Sequence, residues 1–200
     1  MKFFIVGLHA SGKQEIMNTL EKWGVCCGRL FSNIENPGQD IYNVQNYEYY
    51  NSNDIDEVFE NNAYIFMQEL PLAPLNFKSG KYYEGLSKFT FDRNDVFVLS
   101  PDQFLAITPN SINEPVCFIW VDNTKDNRSA RYHSEHRSYN YLERDAHERR
   151  DIGSFVKTLY GFENSQIIYF NNEVPCRVAA IIYTMIKHPD TIDMFVKNFN

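Results

Sequence analysis

The sequence predicts an α/β domain built on a parallel sheet with helices on both faces. Short continuous apolar runs at residues 3–6, 96–99, 116–121 and 166–170 have the character of buried parallel strands, and helix-compatible segments alternate with them. The first run leads directly into Gly7-Leu8-His9-Ala10-Ser11-Gly12-Lys13-Gln14, which fits the phosphate-binding pattern GxxxxGK[ST] at every fixed position but the last.

A loop that wraps a polyphosphate must turn sharply and point its backbone N–H groups inward, and glycine permits both. A helix expected over residues 14–23, with Ile16, Met17, Leu20 and Trp23 on its apolar side, would aim its N-terminal dipole at the same anion. Lys13 would reach the β- and γ-phosphates. Gln14 stands where the pattern places a hydroxyl that binds Mg²⁺, and its side-chain carbonyl is a longer and weaker substitute. The alternative is a glycine-rich strand-to-helix turn that binds nothing.

After this helix, residues 25–31 predict a short second strand, and a loop with Asn33, Asn36, Pro37 and Gly38 follows. Residues 42–50 alternate polar and aromatic side chains, as in a half-exposed antiparallel strand. Ser52 or Asn53 can cap a helix through Ile55, Val58 and Phe59, with Asp54, Asp56 and Glu57 in its acidic first turn. Residues 64–70 are the next strand, stopped by Pro71 and Pro74, and residues 76–80 predict a turn. The strands at 96–99 and 116–121 end near Asp102 and Asp122. Residues 122–151 interleave arginines with acids and read as a helical, solvated run. The strand at 166–170 leads to Asn171-Asn172 and to an apolar helix over 175–186.

Two hundred residues suffice for one α/β domain with a full core, and one domain over 1–200 is the expectation. Hydrophobic residues at 44% and aromatic residues at 16% argue against disorder. The net charge of −7 opposes a surface that grips nucleic acid throughout, leaving room for a local basic patch. No apolar stretch approaches membrane-spanning length and no signal-peptide pattern stands at the N-terminus, so a cytoplasmic location is expected. Cys26, Cys27, Cys117 and Cys176 match no zinc spacing and are expected to be reduced and mostly buried.

Phosphoryl transfer needs a phosphate cradle, neutralisation of the moving charge and a group that orients the acceptor. Asp102 and Asp122 follow apolar strands, whose carboxyl ends face the crevice in open α/β sheets, so either could hold Mg²⁺ or orient a hydroxyl. The plainer reading is that each caps the next helix. Arg131 and Arg137, then Arg144 and Arg149, are the arginines expected to close over a transferred phosphate, although an individual arginine here is more commonly an exposed ion-pair partner. His133, His136 and His147 lack the further ligands a zinc site needs. Tyr47, Tyr49, Tyr50, Tyr82 and Tyr83 can stack on a base or simply pack on a sheet surface.

The order of parts resembles guanylate kinase and its nucleoside monophosphate kinase relatives over nearly the whole chain, with the phosphate loop as the specific motif. Pro37-Gly38 and Tyr47-Glu48-Tyr49-Tyr50 occupy the places of the family's small nucleotide-binding lobe, and Tyr83-Glu84-Gly85-Leu86-Ser87 resembles its Tyr-Gly-x-Ser segment with one residue inserted. The resemblance implies a P-loop kinase three-layer fold, with a small antiparallel substrate-binding insertion at about 33–90 and an arginine-rich lid at about 123–151. It implies ATP and Mg²⁺ as cofactors, ATP held by Gly7, His9, Ala10, Ser11, Gly12, Lys13 and Gln14, and metal near Gln14 and Asp102. Ser32, Asn33, Asn36, Tyr49, Glu69, Tyr83 and Ser87 fall on substrate-binding places, Glu69 as the carboxylate that reads a base edge.

Asn33 and Asn36 carry no charge where the family places two arginines that hold the substrate phosphate. A monophosphate would lose two charge-assisted contacts of roughly 1.5–3 kcal/mol each, which argues against GMP. The leading expectation is therefore transfer of the ATP γ-phosphate to a nucleotide or nucleotide-like acceptor. A second keeps the loop and moves the acceptor to a hydroxyl on a modified base or sugar, with DNA as substrate, as in bacteriophage kinases resembling this family, which would place the chain in the host cytoplasm. A third is a binding module that has kept the scaffold and lost catalysis.

Overall fold

In chain order the elements of the computed structural model are β1 (Lys2–Val6), α1 (Lys13–Lys22), β2 (Cys27–Gly28), β3 (Leu30–Ser32), β4 (Tyr47–Tyr49), α2 (Ser52–Glu60), β5 (Tyr64–Leu70) and β6 (Tyr82–Ser87). There follow α3 (Lys88–Arg93), β7 (Val96–Leu99), α4 (Pro101–Leu105), a 3₁₀ turn (Pro109–Ser111), β8 (Val116–Asp122), α5 (Lys125–Ser134), β9 (Ser165–Asn171), α6 (Pro175–Lys187) and a 3₁₀ segment (Pro189–Met194). The structure describes residues 1–33, 47–70, 81–134, 162, 165–171 and 174–195.

Among these residues a main sheet runs in the order β2-β7-β1-β8-β9, with every pairing parallel. All five residues of β1 are buried, as its central place requires. Alternate side chains go to opposite faces. Phe3 and Ile5 meet Ile16 and Leu20 of α1 and Val178, Ala179, Ile182 and Met185 of α6. Phe4 and Val6 enter a second core with Phe97, Phe104 and Phe118. The Phe4 ring lies 5.4 Å from Phe97 and 5.6 Å from Phe118 between centroids, and Phe104 meets Phe118 edge-on at 4.9 Å. The sheet is thus covered on both faces, and the α/β class expected from the apolar runs is the one formed.

A second sheet runs β4-β3-β6-β5. Its Leu30, Ile65, Phe66 and Leu86 join the second core, which fastens this lobe to the body. Two of its three pairings are antiparallel, but β3 and β4 are parallel, so the antiparallel pairing expected for the strand over 42–50 is corrected to a parallel one at Tyr47–Tyr49, residues 42–46 lying outside the described residues. The single strand expected over 25–31 is two strands in different sheets. Cys27–Gly28 edges the main sheet, Leu30–Ser32 belongs to the lobe, and the chain crosses between them at Arg29, whose guanidinium donates to Glu21 at 2.6 Å.

Helix α2 is capped by Asn51 rather than Ser52 or Asn53. Asn51 Oδ1 accepts from the amides of Asn53 and Asp54, and Asp54 returns a bond to the Asn51 amide at 2.8 Å, a complete capping box. The cysteines are free, but Cys26 and Cys176 are exposed, which corrects the expectation of mostly buried thiols. Burial pushes the thiols of Cys27 and Cys117 up to about 12, where neither is a nucleophile at neutral pH. Among the described residues no helix is long and apolar enough to cross a membrane.

Candidate phosphate-binding and acceptor site

Residues 7–12 leave the end of β1 between the ends of its two partners, because Val6 is in register with Leu99 of β7 on one side and with Trp120 of β8 on the other. This is the carboxyl end of a parallel sheet, where helix N-termini and loops form the ligand crevice of open α/β folds. At Gly7 a Cβ would lie 2.2 Å from the Val121 carbonyl oxygen, so the loop can start only where no side chain stands. Gly12 closes it at φ 90° as the N-cap of α1, a conformation that suits glycine, and Ala10 also takes a positive φ of 56°. The Ser11 amide donates to the Leu8 carbonyl at 3.2 Å, which tightens the turn.

Lys13 Nζ donates to the carbonyl oxygens of Gly7 at 2.6 Å and Leu8 at 2.9 Å, which folds the ammonium back across the loop that it starts from. Gln14 Nε2 donates to Asn18 Oδ1 at 2.8 Å, while Gln14 Oε1 is buried with no hydrogen-bond partner among the described residues. A buried carbonyl oxygen of this kind suits a hard, oxygen-seeking cation.

Asp122 is the last residue of β8, and its Oδ1 accepts from the Asn123 amide at 2.7 Å. Asp102 lies in the first turn of α4 without capping it. Ser100 is the cap, in a reciprocal pair with Gln103. The two acids thus flank the loop from strands on either side of β1.

Helix α5 packs on the loop. The His9 ring meets Tyr132 edge-on at 5.4 Å, and Arg131 Nη1 pairs with Glu15 Oε2 of α1 at 3.0 Å. Arg128, which sequence reasoning did not rank, is the largest wholly buried side chain among the described residues, at 0% exposure, and its Nε donates to the Asn123 carbonyl at 3.3 Å. Its four-residue spacing from Tyr132 on one helix face is the signal that could have found it. Arg137, Arg144, Arg149, Asn36, His136 and His147 lie outside the described residues, as does most of the segment read as a lid.

In the lobe, the buried carboxyl is Glu84, 6% exposed, rather than Glu69. Glu84 Oε1 accepts from Gln68 Nε2 at 2.6 Å, and Oε2 accepts from the Tyr47 hydroxyl at 3.0 Å and from Gln103 Nε2 at 3.0 Å. Burial raises the Glu84 carboxyl above the usual range, against the lowering effect of these donors. Glu69 alternates to the other face of β5 and pairs with Lys81 at 3.1 Å near the surface. The signal for Glu84 was its two-residue spacing from Leu86 on an inward strand face.

Ser32 is buried and in register with Glu84 and Tyr49, and Tyr49 is 53% exposed. Asn33 is spent on the sheet. Its Oδ1 accepts from the Tyr83 amide at 2.8 Å, its Nδ2 donates to the Lys81 carbonyl at 3.0 Å, and its own amide donates to the Tyr83 carbonyl at 3.3 Å. Ser87 caps α3, with its Oγ accepting from the Thr90 amide at 3.1 Å.

The fold and the loop together define an α/β protein with a phosphate-loop turn after its first strand. Among solved structures the chain is similar to the guanylate kinase from Anaplasma phagocytophilum, at 11% identity and a TM-score of 0.49, with 99% of this chain and 87% of that one covered. No protein-family model matches the chain, and no curated protein does.

Proposed function

We propose that the chain is an ATP-dependent phosphotransferase that moves the γ-phosphoryl group to a nucleotide or nucleotide-like acceptor held between the loop and the lobe. The carrying observation is the loop itself, from Gly7 beneath the Val121 carbonyl to Lys13 folded over Gly7 and Leu8. Lys13 would exchange two carbonyl contacts for the β- and γ-phosphates, a stronger charge-assisted pairing. The Gly12 and Lys13 amides, at the start of α1, favour the same anion.

In transfer, the acceptor hydroxyl oxygen bonds to the γ-phosphorus as the bond from that phosphorus to the β–γ bridging oxygen breaks. ADP leaves with the electron pair, and the hydroxyl proton passes to a carboxylate at the sheet's carboxyl end, Asp102 or Asp122. Mg²⁺, when bound, would be held near Gln14 Oε1 and one of these acids and would neutralise charge on the β- and γ-phosphates. Arg131 and Arg128, on the helix packed against the loop, bring positive charge toward the transferred group.

Calorimetry with ATP and Mg²⁺ on the wild-type chain and on Lys13→Ala tests this reading. Saturable ATP binding, weakened at least tenfold by the substitution, supports it; no binding, or binding indifferent to the substitution, sinks it.

A further inference from the structure

Gln14 stands where a hydroxyl side chain would be the shorter oxygen ligand, and it brings two difficulties to that place. A hydroxyl on Cβ has one torsion to fix, whereas a glutamine has several, and ordering them costs rotamer freedom. The carboxamide also has two unlike ends. Its oxygen accepts and can ligate a cation, while its NH2 only donates and would repel one. An oxygen ligand at this position therefore needs a neighbour that settles which end is offered.

Asn18 is that neighbour. Residues 14 and 18 lie about one turn apart on the same face of α1. Gln14 Nε2 donates to Asn18 Oδ1 at 2.8 Å, which commits the nitrogen. Gln14 Oε1 is the end left over, buried and with no hydrogen-bond partner among the described residues. Exchanging oxygen and nitrogen in both amides would keep a bond between them but would bury the Gln14 NH2 instead, in the first turn of the helix and next in sequence to Lys13. The positive end of the helix dipole and the ammonium both favour the carbonyl there. Asn18 is half-buried, apart from Ile16, Met17 and Leu20 that α1 buries, and it borders a surface groove with Glu21, Lys22 and Arg29. Core packing thus makes little demand on this side chain.

We propose that Asn18 is a positioning residue, which fixes the Gln14 amide so that its carbonyl oxygen can ligate the divalent cation that accompanies ATP. This rests on the phosphotransferase reading for the nucleotide and its cation, but not for the amide pair. A neutral carbonyl oxygen is a hard donor suited to Mg²⁺. A partner that orients a metal ligand from outside the coordination shell typically carries about 10–100-fold in metal affinity.

The test is calorimetry of ATP binding to the full chain, with Mg²⁺ and again with EDTA, which gives a metal-dependent gain in affinity for each variant. Asn18→Leu removes the acceptor at similar volume. It should cut that gain at least tenfold and leave the affinity in EDTA as in wild type. Asn18→Asp keeps an oxygen within reach of Gln14 Nε2 and should retain the gain. In a Gln14→Ala background, Asn18→Leu should change the gain no further. Four results would overturn the inference: no metal-dependent gain in wild type, a gain that survives Asn18→Leu, an equal loss in EDTA, or a loss that persists in the Gln14→Ala background. If Lys13→Ala still weakens ATP binding, any of these leaves the phosphotransferase reading standing. A wild-type chain that binds no ATP would remove both.

Discussion

At Gly7 the sheet and the loop constrain the same residue. A Cβ there would sit 2.2 Å from the Val121 carbonyl oxygen, and that oxygen belongs to a strand held in register along its whole length by β9 and as far as Trp120 by β1. The neighbour is backbone in the middle of a sheet, so it cannot swing aside as a side-chain end would. Gly7→Ala should therefore destabilise the fold by about 1–3 kcal/mol, the range for overpacking a well-filled interior, and should also displace the amides that follow it. A thermal-unfolding midpoint and ATP affinity both equal to wild type would show the close approach to be unimportant. The residues of this loop were legible in the sequence because their spacing is local and the backbone geometry that they serve lies within eight positions. Arg128 and Glu84 were not, because what singles them out is burial by elements distant in sequence. Arg128 lies in a run where arginines and acids alternate and only the packing of α5 on the loop sets it apart, while Glu84 looked like an insertion in a short motif.

Between elements, the Glu84 carboxyl ties together strands β4, β5 and β6 and helix α4, since Tyr47, Gln68 and Gln103 come from three of these and Glu84 from the fourth. Gln103 Nε2 also donates to the Tyr47 hydroxyl at 2.9 Å, which closes the network. Glu84→Ala would orphan the Tyr47 and Gln68 donors, each worth about 1–3 kcal/mol when buried unpaired, would leave Gln103 Nε2 with only the Tyr47 hydroxyl, and would loosen the lobe from the helix that carries Asp102. The pH dependence has a definite sign. Burial raises the folded carboxyl's pKa above its unfolded value, so the native state holds its proton more tightly than the unfolded chain. This group's contribution is most favourable at low pH and falls away as pH rises from the unfolded value through the folded one. Glu84→Gln removes that titration, so the wild type should gain stability relative to this variant as pH is lowered from 7.5 toward 5. Paired urea titrations at several pH values would read the difference, and a difference that is flat or of opposite slope would show that the donors, not burial, set the carboxyl. Strand positions 64–70 and 96–99 were read correctly because the first is cut off by Pro71 and the second is an uninterrupted apolar run, whereas the split of the 25–31 run between two sheets was hidden. A two-residue edge strand and a three-residue lobe strand leave no periodicity that distinguishes them from one continuous strand.

Across the whole molecule, the described residues of the lobe form no separate core cluster. Leu30, Ile65, Phe66 and Leu86 share a cluster with Phe4, Phe97, Phe104 and Phe118 of the body, so apolar burial in the lobe is counted in the same core as that of the main sheet. Sequence patterning marks the lobe as a separate insertion but carries no hint of this shared core, because nothing in its own pattern shows which face of the body will cover Phe66. A shared core implies cooperative unfolding, since the lobe cannot lose its packing without exposing Phe4 and Phe97. Phe66, 1% exposed, is the residue to cut. Phe66→Ala should lower global stability by about 3–5 kcal/mol, the usual range for emptying a buried phenylalanine site. Native-state hydrogen exchange would show how the loss is distributed. If the core is one unit, amides of β6 in the lobe and of β1 in the body should lose protection by the same free energy in the variant. If β6 alone is affected while β1 keeps its wild-type protection, the lobe opens independently, and the acceptor region would be able to move without disturbing the phosphate loop.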